Sequence, residues 1–317
     1  MLCGIFAGIT WALETVILGM ALSLSPFISG SNGIFLAPFI STFIHDMLSG
    51  IYLLIMNTAC GNLKKIAGIF KPGGGYGYLL ISSAIGGPIG MTGYVIAVKY
   101  MGASVGAVAS AVYPAIGSLL AYIFLKEKIR WYQWIFLLCT LFGVFALSYS
   151  PQIDIKDFRL GLTGVLMCAF GWGSEGVILS KCFKKHCIKS EFALQIRQVV
   201  SAAIYGIIII PLLGGVKLTL GLFKPENVTV LLIIAAAAFF ATVSYLLYYK
   251  AIAKLGVAKA MGLNITYTAW AMIFSVIILH NYGTFNPRTV ICSAAVVLCA
   301  LLAAADFKEI FKGTSKN

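Results

Sequence analysis

The feature that most constrains this chain is a near-continuous succession of apolar runs, each long enough to cross a bilayer and separated by short polar links. A helix of about 20 apolar residues spans the ~30 Å hydrocarbon core. In lipid, only helices and closed barrels satisfy every backbone N–H and C=O. The runs fall at about 3–24, 34–58, 76–98, 103–125, 131–149, 161–180, 191–213, 228–249, 256–279 and 289–305. Little of the 317-residue chain is left over, so no soluble domain is expected. Only 10% of residues are charged, against about a quarter in a soluble domain. The expected fold is an all-α integral membrane protein with ten transmembrane helices. The first run has no cationic segment before it, so it reads as a retained span and not a cleaved signal.

The formal charge of +13 does not point to nucleic acid, because membrane proteins concentrate Lys and Arg in short cytoplasmic loops. Lys64, Lys65, Lys71, Lys126, Lys128, Arg130, Lys181, Lys184, Lys185, Lys189, Lys250, Lys254, Lys259, Lys308, Lys312 and Lys316 all fall on one side of the ten-span topology. The other side carries only Lys99, Lys156, Arg159, Lys217, Lys224 and Arg288. Both termini are therefore expected in the cytoplasm. The eight cysteines lie mostly within apolar runs, where they behave as small hydrophobes. Cys182 and Cys187 flank His186, a spacing too weak to predict a metal. No cofactor is expected, and no nucleophile–base set points to an enzyme.

The two halves repeat each other. W-A-L-E-T-V-I-L-G at 11–19 aligns with W-G-S-E-G-V-I-L-S at 172–180, and Y-V-I-A-V-K-Y-M-G at 94–102 with Y-Y-K-A-I-A-K-L-G at 248–256. The second register also places Tyr113 over Tyr267. Each half, 1–150 and 151–317, carries five runs. Five is odd, so the halves are expected to insert with opposite orientation, an arrangement that points to a transporter with its site at the repeat interface.

Few charges lie deep within the runs: Glu14, Asp46 beside His45, Glu175 and Arg197. Such residues cost a few kcal/mol each in lipid and mark function or a buried partner. Asp46 and Arg197 read as a structural pair that latches a gate. Glu14 and Glu175 each follow a tryptophan by three residues, and that spacing shares a helix face. A quaternary ammonium ion offers no N–H and is held by aromatic faces, tryptophan best. Trp11, Trp172 and the two glutamates are thus candidates for a small organic-cation cage, with a glutamate also able to carry a proton. Trp131 and Trp134 fit an interfacial belt. Asn264, Tyr267 and Trp270, at three-residue spacing, and Tyr113 are candidate cavity residues. Gly86-Gly87-Pro88-Ile89-Gly90 interrupts the third run and is expected to border the pathway. Gly102, Gly106 and Ser110 read as close packing between helices.

These segments together resemble a known group. V-K-Y-M-G-A-S-V and Y-P-A-I-G-S-L-L-A-Y-I-F-L-K-E-K-I look like the EamA-type members of the drug/metabolite transporter superfamily. G-P-I-G-M at 87–91, W-G-S-E at 172–175, I-R-Q-V at 196–199 and G-L-N-I-T-Y at 262–267 resemble the LicB-type bacterial choline transporters within it. The resemblance implies choline import driven by the proton gradient across a bacterial inner membrane. It also implies an aromatic site to which Trp11, Trp172, Tyr248 and Tyr267 contribute. Glu14 departs from that pattern and resembles the exchanging glutamate of the small multidrug resistance proteins. Export of amino acids, drugs or other metabolites is the alternative function.

Overall fold

The structure is a computed structural model that describes residues 1–101, 103–148, 157–280, 282 and 286–305; of residues 103–111 and 148 it describes the backbone alone. Gly102, and the side chain of Ser110, therefore lie outside the described residues, and of Gly106 only the backbone helix is described. Among the described residues every regular element is helical. The principal helices are α1 (Leu2–Leu22), α2 (Gly30–Ala59), α3 (Tyr76–Met101), α4 (Ala103–Phe124), α5 (Trp131–Ser148), α6 (Phe158–His186), α7 (Ser190–Leu212), α8 (Pro225–Leu255), α9 (Val257–Leu279) and α10 (Pro287–Ala304). Among the fully described residues, eight of these helices are long and apolar enough to cross a membrane, and Val112–Phe124 of α4 and Trp131–Leu147 of α5 are shorter apolar stretches.

The helices overrun the apolar runs where local chemistry supports an extra turn. Asp157 starts α6 three residues before the run, accepting from the Arg159 and Leu160 amides at 2.9 and 3.1 Å. Asn286 does the same for α10, accepting from the Thr289 amide at 3.0 Å. Side-chain acceptors of this kind satisfy the first amides of a helix, which have no partner inside it.

Two interruptions matter more than the ends. In α3, Ile85–Ile89 forms a π-turn around Pro88. A proline lacks the N–H the ladder expects, and a π-turn is one way a helix absorbs that defect, often at functional sites. The sequence break is therefore absorbed within a continuous helix and does not end it. In α9 the regular helix stops at Asn264 and restarts at Tyr267. Here the sequence pattern suggests one unbroken helix, and the structure departs from it.

Packing crosses between the halves. Helix α1 lies against α8, where the Ser244 hydroxyl donates to the Ala7 carbonyl at 2.8 Å, and against α9, where Gly8 abuts Thr266 and the Asn264 carbonyl. Helix α6 lies against α3 and α4: Gly164 faces Gly93 and Ala97, and Gly173 faces Gly117. Backbones come this close only over small residues. Helix α2 meets α7 through polar contacts: Gln195 Nε2 donates to the Gly50 carbonyl at 3.0 Å, and Gln198 Nε2 to Ser49 Oγ at 2.7 Å. Helix α5 meets α10 at Gly143 and Val296.

Candidate functional site

The crossing helices enclose a cavity lined by Trp11, Tyr113, Trp172, Glu175, Ser244, Tyr245, Tyr248, Asn264 and Tyr267. Its walls come from α1, α4, α6, α8 and α9. Seven of the eight residues expected to bind substrate thus meet around one space; Trp270 does not line it. The three-residue spacing of Asn264, Tyr267 and Trp270 predicts a common face. Asn264 and Tyr267 both reach the lining across the break at Ile265 and Thr266, whereas Trp270 follows Tyr267 on one unbroken segment, where a three-residue step turns a side chain by about 60°.

The aromatic rings present edges and faces to one another around this space. Trp11 meets Tyr245 edge to face with centroids 4.9 Å apart, and Tyr267 at 6.3 Å. Trp172 meets Tyr113 edge to face at 5.9 Å and stacks beside Tyr94 at 6.0 Å. The Asn264 amide Nδ2 donates to Tyr113 Oη at 3.0 Å, while its buried Oδ1 has no hydrogen-bond partner among the described residues. That leaves one acceptor among aromatic walls.

Among the described residues Glu175 is the only carboxylate on the lining. Its Oε1 accepts from the Tyr249 hydroxyl at 2.9 Å and from Arg197 Nε at 3.4 Å. The π-turn of α3 makes room for it. A Cβ on Gly86 would strike the Glu175 carboxylate, and one on Gly90 would lie 2.7 Å from Trp172 Cδ1. The Gly-Gly-Pro-Ile-Gly segment, expected to border the pathway, thus packs against the cavity's tryptophan and glutamate without itself being on the lining.

Behind Glu175 the charges form a chain and not an isolated pair. Arg197 Nη1 lies 3.3 Å from both Asp46 oxygens and donates to Gln198 Oε1 at 2.6 Å. Its guanidinium also sits 4.8 Å from the Tyr245 ring centroid, with Nη2 3.3 Å from that residue's hydroxyl. Asp46 Oδ1 is 3.0 Å from His45 Nδ1, and His45 Nε2 is 3.9 Å from Glu14 Oε1. All five charged or titratable residues are buried. Glu14 thus turns away from the cavity that Trp11 lines and faces α2. Positions i and i+3 differ by about 60° around a helix, enough to face different neighbours.

Tyr245 and Ser244 are not singled out by the sequence patterns above, whereas Tyr94, Tyr248 and Tyr249 are further aromatic candidates in the sequence, most of them expected to pack or to sit in the interfacial belt. A signal is present nonetheless: Tyr245, Tyr248 and Tyr249 in Y-L-L-Y-Y fall on one helix face. Among the described residues no group of His, Cys, Asp and Glu is arranged to hold a metal. Cys182 is buried, Cys187 exposed, and the His186 ring packs against Tyr78 with centroids 5.5 Å apart.

Comparison with known proteins agrees with this architecture. Residues 1–149 match the EamA-like transporter family. Protein LicB of Haemophilus influenzae is 31% identical over 196 residues, which cover 61% of this chain and 63% of that protein. The match thus spans less than two thirds of the relative's length. A protein of known crystal structure superposes with a TM-score of 0.69 at 16% identity, covering 95% of this chain and 96% of the other; at that identity the likeness concerns fold alone. The chain is thus an all-helical, multi-pass membrane protein whose residues 1–149 are similar to the EamA-like transporter family.

Proposed function

We propose that the chain is a secondary transporter that imports choline or a related quaternary-ammonium cation together with protons. In this reading it works by alternating access between two inverted five-helix repeats, 1–150 and 151–317, in a bacterial inner membrane. All ten helices span, and both termini face the cytoplasm. The crossed packing supports the repeat: α1 lies on α8 and α9 as α6 lies on α3 and α4, while α2 pairs with α7 and α5 with α10.

The observation that carries the reading is the cavity itself, in which six aromatic side chains surround one buried carboxylate. A methylated ammonium gains from several ring faces at once, and Glu175 supplies its counter-charge. The unpartnered Oδ1 of Asn264 is placed to accept from a hydroxyl such as choline carries.

Charge balance supports proton coupling. Three carboxylates, Glu14, Asp46 and Glu175, face one guanidinium and one imidazole. Uncompensated charge is costly away from water, so the chain accommodates a cation at Glu175 and a proton at Glu14 and His45. Two ions held at separate groups can travel together, which is symport; two competing for one carboxylate would exchange. Arg197 and Asp46 then do more than latch a gate, because they join the two sites.

The test is uptake of radiolabelled choline into proteoliposomes, with and without an inward proton gradient. Gradient-stimulated uptake that is lost in Glu175→Gln and Trp172→Ala is the expected result. No uptake in sealed vesicles of either orientation sinks the choline assignment and favours export of amino acids, drugs or other metabolites.

A further inference from the structure

A second pocket, of about 350 Å³, opens one helical turn beyond the aromatic cavity. It lies where the C-terminal ends of α6, α8 and α10 meet the α4–α5 loop and the start of α9. Lys128, Lys184, Lys254 and Lys259 line it. The acidic residue on its lining, Glu127, is already engaged: its two oxygens accept from the Val257 and Ala258 amides at 3.0 and 3.4 Å. That contact neutralises the N-terminus of α9 and leaves the lysines in excess. Deeper in, Ser118 lines the same pocket, and its hydroxyl, wholly buried, has no hydrogen-bond partner among the described residues.

We propose that this pocket binds a phosphate-bearing anion, held by the four lysines at the rim with the Ser118 hydroxyl donating from below. A phosphate suits the donors better than a carboxylate does. It offers more acceptor oxygens and more charge, so several ammonium groups and a hydroxyl can meet it together. The volume leaves room for a small esterified group beside the phosphorus. Basic pockets between membrane helices bind phospholipid headgroups for these reasons, and a soluble phosphate ester carries the same chemistry. The lysines come from both halves of the chain, Lys128 from the first and the other three from the second. An occupied site therefore ties the halves together at this end.

The pocket is separate from the aromatic cavity, so its test is independent of what is transported. The purified full-length protein is placed in nanodiscs of phosphatidylcholine, and saturable binding of radiolabelled inorganic phosphate is measured. In parallel it is reconstituted with mixed phosphatidylcholine and phosphatidylglycerol, and retained lipid is identified by native mass spectrometry. Saturable phosphate binding alone indicates a soluble ligand, and selective retention of phosphatidylglycerol indicates a headgroup; either supports the site. In each case Lys254→Gln with Lys259→Gln is expected to weaken binding by about tenfold or more, and Ser118→Ala by about threefold. Absence of both signals overturns the proposal. So does an equal loss in Lys64→Gln with Lys65→Gln, which removes charge from another loop and leaves the pocket intact.

Discussion

The W-x-x-E motif occurs twice, and the two copies meet different fates. In α6 both members line the cavity: Trp172 forms a wall, and Glu175 supplies the carboxylate. In α1 the tryptophan lines the cavity, but Glu14 lies 3.9 Å from His45 on α2. The motif is the same and so is the spacing; the neighbours differ. Glu175 has a partner helix that yields, because the π-turn of α3 places Gly86 against it. Glu14 has beside it a helix carrying an imidazole and a second carboxylate. A repeated motif thus places its two glutamates in unlike surroundings, one on the cavity wall and the other beside an imidazole.

Removing the group that joins the two copies has the largest expected effect. Arg197→Gln leaves Asp46 and Glu175 buried without their cation, which is expected to cost about 3–5 kcal/mol; thermal unfolding of the purified protein reads this directly. A variant as stable as the parent would mean the two glutamates are not joined through Arg197.

Next comes the contrast between the glutamates themselves. Glu175→Gln is expected to weaken cation binding by about a hundredfold, since a charge-assisted contact to a buried carboxylate is lost. Glu14→Gln is expected to leave binding within about twofold yet abolish stimulation by a proton gradient. Equilibrium binding and gradient-driven flux, measured on both variants, separate the two roles. Equal effects on both assays would collapse the comparison.

The tryptophans should differ less. Trp172→Ala and Trp11→Ala each remove one aromatic face, and each is expected to weaken cation binding by about tenfold. Fluorescence titration of the variants checks the pair. The smallest effect is expected at Trp270→Phe, which leaves the cavity wall untouched and should bind within about twofold of the parent by the same titration.

The membrane fold is legible in the sequence because it depends on length and apolarity, and lipid admits few alternatives. Most of the cavity is legible too, since Trp11, Trp172, Glu175, Tyr113 and Tyr267 stand at matched places in the two halves. What the sequence hides has identifiable causes. Trp270 joins the candidates because three-residue spacing is read as one face, although each such step turns a side chain by about 60° around the helix. Tyr245 escapes notice because aromatic residues in apolar helices most often pack or sit at the interface. The turn of Glu14 toward His45 depends on which helix lies beside α1. That is a property of the packed bundle, invisible in the spacing of one segment.

Met261 carries a further consequence. On α9, Asn264 lines the aromatic cavity, and Ala258 and Lys259 line the basic pocket. Met261 lies between them, wholly buried, its thioether seated in the notches left by Gly117 and Gly176. Met261 is therefore part of the packing between the two chambers, together with Tyr249, Ile252 and Val257 of the same buried cluster. Methionine has three rotatable bonds and adapts to irregular gaps, so it fills the space that two glycines on neighbouring helices leave open. The close approach of α4, α6 and α9 is then set by how well one flexible side chain fits two notches, and a branched residue such as leucine there would have to push those helices apart.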